Sequence, residues 1–172
     1  MTGPAIPMLS VPMAIMIRPL GTADFPLIAS LARRIWPVAY AGILSAEQLE
    51  NLLTRIYGAE NLAAERAEGH RFWGAFEEER ELGYASGYRQ EDVIWIKKLY
   101  VLPEAQGKGV GLALMQSVIA GFSPAKEVRL FVNGDNRRAQ DFYRRCGFIN
   151  AGAVPVKMGD FSFTDFVFVK VL

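Results

Sequence analysis

At 172 residues, 51% of them apolar, the chain is long enough for one sizeable core and short for two domains. A formal net charge of +1 argues against nucleic acid as the main partner, and no apolar run approaches the ~20 residues of a membrane-spanning helix. One cysteine, Cys146, excludes an internal disulfide framework and makes a reducing cytoplasm the default expectation; one histidine, His70, excludes a site needing two, and no metal is expected.

Residues 1–15 carry Pro4, Pro7 and Pro12 and no basic residue, a poor fit to a signal peptide. They read as a flexible N-terminal extension ahead of one domain over 16–172. Ile15 to Pro19 reads as a first strand. Asp24 is placed to cap a helix with Pro26 in its first turn and Leu27, Ile28, Leu31 and Ile35 on one face. Ser45 and Gln48 have capping-box spacing ahead of Leu49, Leu52, Leu53 and Ile56, and Gly58 is a stop. A short helix follows from Ala59 to Ala67. Arg71–Phe76 and Glu81–Tyr88 read as strands joined by an acidic turn, and Val93–Val101 as a longer strand ended by Pro103. Gly109–Gly121 is a helix, Val128–Val132 a buried strand, and Asn136 caps a helix closed by Gly147. Strands at Ile149–Val154 and Phe163–Val171 complete an α/β arrangement around a mixed sheet of about seven strands.

The most informative stretch runs from Leu99-Tyr100-Val101-Leu102-Pro103 into Gln106-Gly107-Lys108-Gly109-Val110-Gly111. A strand feeds a glycine-rich turn that opens a helix. The first N–H groups of a helix have no internal partner, and its dipole adds positive character at the same end. Glycines let the backbone come close to an anion, and Lys108 adds a mobile cation, so the segment reads as a diphosphate cradle. The spacing fails both the dinucleotide G-x-G-x-x-G pattern, whose third glycine would come one position later, and the P-loop, since Gly107-Lys108 is followed by Gly109.

Gln106-x-x-Gly109-x-Gly111 resembles the acetyl-CoA signature of the GNAT family of N-acetyltransferases. Asn136-x-x-Ala139-x-x-Phe142-Tyr143-x-x-x-Gly147-Phe148 resembles that family's second signature, and Ile17-Arg18-Pro19 with Asp24 its usual start. The resemblance covers roughly Met16 to Leu172. It implies a GNAT-like mixed sheet with splayed central strands, acetyl-CoA as cosubstrate and an amine as acceptor. It also implies roles residue by residue. Leu99 and Val101 would offer backbone groups to the pantetheine arm, with the Val101 N–H facing the thioester carbonyl. Gln106, Gly107, Lys108, Gly109, Val110 and Gly111 would hold the diphosphate. Asn136 and Ala139 would flank the pantetheine, and Tyr143 would protonate the departing sulfur. Relatives often carry a Glu on the central strand as base; Ile94-Trp95-Ile96-Lys97 offers none, and no base is assigned.

Trp36, Tyr40 and Trp95 are candidates for an aromatic acceptor wall, with core packing the competing reading. Trp36-x-x-x-Tyr40-x-Gly42-Ile43-Leu44 and Gln48-Leu49 resemble the bacterial branch that acetylates polyamines and other small amines. His70 is expected at the surface and Cys146 as a buried small apolar residue. Arg137, Arg138, Arg144 and Arg145 read either as a solvated face or as phosphate partners. Acetylation of a protein N-terminus or lysine, a non-catalytic acyl-CoA sensor, and a homodimer stay open.

Overall fold

The computed structural model describes residues 14–158 and 160–172, so most of the expected N-terminal extension over 1–15 lies outside the described residues. The strands are β1 Met16–Leu20, β2 Arg71–Glu77, β3 Arg80–Gln90, β4 Val93–Val101, β5 Glu127–Asn133, β6 Ile149–Met158 and β7 Phe161–Val171. The helices are α1 Phe25–Ala39, α2 Ala46–Tyr57, α3 Ala59–Ala67, α4 Val110–Phe122 and α5 Arg137–Arg145. One seven-stranded sheet has the order β1-β2-β3-β4-β5-β7-β6. Among the described residues β4 and β5 are the only neighbouring strands that run parallel, and α4 makes the crossover between them.

α4 lies across β2, β3 and β4. α1 packs on β3 and β4 and carries α2 and α3. Ile28, Leu31, Leu62, Tyr84, Ile94, Leu114 and Phe168 are among the residues fully enclosed between these layers.

Ser45 and Gln48 form the capping box read from their spacing, the Gln48 N–H donating to Ser45 Oγ at 3.1 Å and the Ser45 N–H to Gln48 Oε1 at 2.9 Å. Asp24 departs from expectation. A 3-10 turn over Thr22–Asp24 precedes α1, so the Asp24 carboxylate reaches back to accept the Gly21 N–H at 2.8 Å and makes no side-chain bond to α1. β6 runs beyond the expected stop at Val154, through Pro155. It is an edge strand, where a missing ladder donor costs little.

Candidate active site

β4 and β5 pair only from Val93↔Glu127 to Ile96↔Leu130. Beyond that, β5 continues against β7 to Asn133↔Asp165, while β4 continues against β3 to Val101↔Gly83. The central strands therefore diverge over 97–101. The local cause is a bulge: Ser86 pairs with Lys98 but Gly87 with Ile96, which makes Lys97 an extra residue that bends β4. The Leu102 N–H donates to the Leu82 carbonyl at 2.8 Å, which fixes the alternation of the ladder. The N–H and C=O groups of Leu99 and Val101 consequently point away from β3, into the gap.

At the mouth of the gap the chain passes through a 3-10 turn, Pro103–Ala105, into the glycine loop. Gly107 and Gly109 have φ of 77° and 82°, left-handed values that strain any residue with a Cβ. A Cβ at either position would meet nothing within 4 Å, so the backbone angle, and not lack of room, selects glycine. The Ala113 N–H closes the first turn of α4 onto the Gly109 carbonyl at 3.0 Å, which leaves the N–H groups of Val110, Gly111 and Leu112 without helical acceptors. Gln106 Nε2 donates to the Val101 carbonyl at 3.3 Å and ties this loop to the end of β4; its Oε1 is buried and unpartnered. Lys108 is exposed beside it. Left-handed glycines, free helical N–H groups and one lysine fit a diphosphate at this point.

α5 forms the other wall. Asn136 Oδ1 accepts the Ala139 N–H at 3.2 Å, as an N-cap does. Phe142 lies against Gly111, where a Cβ would come within 3.2 Å of the ring. Tyr143 is buried, its ring 5.7 Å from Phe148 and 6.2 Å from Phe168. Burial pushes its hydroxyl well above the ordinary tyrosine value, with smaller pushes from Tyr40 and Cys146. Tyr40 belongs to α1's side of the sheet. All four arginines of α5 are exposed; Arg144 is engaged with Asp141 at 3.1 Å and lies over the Phe168 ring.

On the α1 side, Trp36 and Tyr40 come together, with ring centroids 4.8 Å apart, but Trp36 is only 5% exposed. It is wedged against Tyr57 and Tyr100, and its Nε1 is buried without a hydrogen-bond partner. Trp95 stands apart, stacked on Phe131 at 5.1 Å and near Tyr88 at 6.4 Å. The structure thus joins Tyr40 to a set of tyrosines that the sequence did not single out. The Tyr40 and Tyr100 hydroxyls hydrogen-bond at 2.9 Å, and those of Tyr57 and Tyr84 at 2.5 Å. Tyr100 lay inside the strand segment quoted above; Tyr57 and Tyr84 offered no local signal.

Two further corrections concern single residues. His70 is buried, stacked on Tyr88 at 4.5 Å, because β2 starts beneath α3. Cys146 is half-buried, and burial raises its thiol. Asp165 was also missed. It is a half-buried carboxylate whose burial lifts it above the ordinary value while Lys97 pulls it back. The one signal for it was an acidic residue in the middle of an aromatic strand.

Comparison with known proteins gives a consistent result. The sequence matches the acetyltransferase (GNAT) family over residues 28–148. An uncharacterized N-acetyltransferase of Mycobacterium tuberculosis is 31% identical over 153 residues, 87% of this chain and 98% of that protein. A spermidine N(1)-acetyltransferase of Thermoplasma acidophilum is 29% identical over 165 residues, 92% of this chain and 98% of that protein. The crystal structure of the PaiA N-acetyltransferase from Thermoplasma acidophilum in complex with coenzyme A superposes with a TM-score of 0.79 at 27% identity, covering 93% of this chain and all of that one (100%).

Proposed function

This chain belongs to the GNAT acetyltransferase family and is an N-acetyltransferase, and from that premise we propose that its acceptor is a small primary amine of the polyamine type. The observation that carries the proposal is the near-full-length match to a spermidine acetyltransferase. The aromatic cluster of Tyr40 and Tyr100 on the α1 side agrees with it, since aromatic faces attract an alkylammonium. Acetyl-CoA supplies the acetyl group as an activated thioester. In this reading the free N–H groups of Val110, Gly111 and Leu112, the backbone of Gly107 to Gly109, and Lys108 hold the diphosphate. Leu99, Asn136 and Ala139 line the pantetheine. The Val101 N–H donates to the thioester carbonyl oxygen as negative charge builds there. A fixed donor of that kind lowers the barrier by roughly 3 kcal/mol because it does not reorganise. Tyr143 serves the sulfur as it leaves.

Side-by-side rates on spermidine and on a short unstructured peptide test the acceptor class. Spermidine should turn over faster, and more slowly as salt is raised, because an exposed cation's attraction to a site is screened. Faster turnover of the peptide would reject the small-amine acceptor and leave the family and cofactor site standing.

The cradle has its own test. Gly109→Glu would put a side chain on a left-handed backbone and a carboxylate among groups that favour an anion. Acetyl-CoA affinity by calorimetry should weaken by at least about tenfold, the effect of ~1.4 kcal/mol, with the circular dichroism spectrum retained. Unchanged affinity would move the diphosphate elsewhere.

A further inference from the structure

β7 carries one carboxylate, Asp165, that neither the cofactor loop nor the sheet engages. Successive residues of a strand face opposite sides. Phe168 faces α5, with its ring 6.2 Å from Tyr143, and Phe166 shares that side. Asp165 therefore faces the α1 side, where Tyr40 and Tyr100 stand. Its register partner Asn133 is the last residue of β5, at the level where β5 has already left β4. Asp165 thus stands beside the gap, on the face opposite Tyr143.

Two titratable neighbours face it. Lys97, the bulged residue of β4, holds the Asp165 carboxyl down against the stronger upward push of burial. Tyr40, at the end of α1, is raised mainly by its own burial, with Asp165 adding to that and the Tyr100 hydrogen bond opposing it. The register partners Asn133 and Val154 carry no charge. Among the described residues the carboxylate accepts no hydrogen bond and has no ion-pair partner within contact. A half-buried carboxylate left in that condition costs desolvation without return, which a cationic ligand would offset.

We propose that Asp165 receives the acceptor's ammonium group and acts as the base that takes its proton, an assignment that rests on the small-amine reading. The ammonium gives one proton to the carboxylate. The freed nitrogen lone pair forms the N–C bond to the acetyl carbon, and the C–S bond breaks with its electron pair going to sulfur. The Tyr143 hydroxyl gives that sulfur a proton and regains one from the new amide nitrogen through water. The proton on Asp165 passes to solvent, so the sum is one amide, one thiol and one released proton. Lys97 favours the ionised carboxylate and so opposes part of the effect of burial, and the Tyr40–Tyr100 pair supplies the aromatic wall beside it.

Asp165→Asn keeps the shape and removes the base. With spermidine at pH 7, kcat/KM should fall by about 10²-fold, with acetyl-CoA affinity and melting temperature unchanged. The deficit should then narrow by about tenfold per pH unit towards the amine's own pKa, because free amine from solution replaces the lost proton acceptor. Asp165→Glu should recover part of the rate. A deficit that stays constant with pH would make Asp165 structural, and a wild-type rate in the Asn variant would remove it from the site; either overturns the assignment. If the wild-type enzyme acetylates peptides and no free amine, the small-amine reading fails instead, and the same pH comparison on the peptide decides Asp165 separately.

Discussion

Tyr143→Phe should lower turnover by about 10²- to 10⁴-fold, the usual scale for a positioned general acid, while acetyl-CoA affinity changes little. The substitution removes one oxygen and keeps the ring that packs on Phe148 and Phe168, so the fold should be unaffected. Burial holds this hydroxyl well above its ordinary value. It therefore stays protonated throughout the range in which the enzyme can be assayed, and the wild-type profile should show no alkaline decline that vanishes in the Phe variant. A thiol titrates near ~8.5 in water, so proton transfer from so weak an acid would be uphill there. In the gap, the same exclusion of water that raises the tyrosine also raises the basicity of the sulfur as its charge develops. The two are brought closer together at the moment of transfer. Equal turnover in the two proteins would return Tyr143 to the hydrophobic core.

Lys98→Ala should cost about 3–5 kcal/mol of stability, the usual penalty for stranding one member of a buried ion pair. Lys98 lies on β4 within the splayed segment and is 3% exposed. Its Nζ is 2.6 Å and 2.8 Å from the two carboxylate oxygens of buried Glu65 on α3, and lies over the Tyr57 and Phe72 rings. Burial pulls the ammonium below its ordinary value, and Glu65 pulls it back. Removing the lysine leaves the Glu65 carboxylate in a dry layer with no cation in hydrogen-bond contact, only the Asn61 amide donating to Oε1 at 3.4 Å and His70 Nδ1 at 4.0 Å from Oε2. For a chain of this size the melting temperature should drop by roughly 6–20 °C. The double variant Lys98→Met with Glu65→Leu should regain most of that loss, because a well-packed apolar pair can replace a buried ion pair. A single variant as stable as wild type would show that water reaches Glu65.

Much of the glycine-rich turn and of the α5 cap could be read locally. The Asn136 cap stands where its spacing put it, and α4 runs over Val110–Phe122 against the Gly109–Gly121 read from the sequence, because Gly109 takes a left-handed backbone as the residue before the helix. The order of strands and helices was equally accessible, since hydrophobic period and caps are short-range. Asp24 shows the limit of such reading: the residue type of a cap was recognised, but an intervening 3-10 turn reversed the direction in which it acts. The α1 side was much less legible. Trp36 and Tyr40 are one helical turn apart and were expected to meet. Trp95 lies on β4 and is carried by the sheet to Tyr88 and Phe131 instead.

The sequence by itself determined the elements, their order and the glycine-rich turn, because each depends on backbone preferences within a few residues. Tertiary structure alone decided the rest. The bulge at Lys97 is visible only once β3 and β4 are in register. The tyrosine pairs 40–100 and 57–84 join helices to strands 60 and 27 residues away. The burial of Lys98, Glu65 and His70 depends on α3 closing over the sheet. Asp165 reaches the gap only because β7 inserts between β5 and β6. Each of these is a contact between segments far apart in the chain, whose partners are chosen by packing of the whole domain and leave no periodic trace in the local sequence.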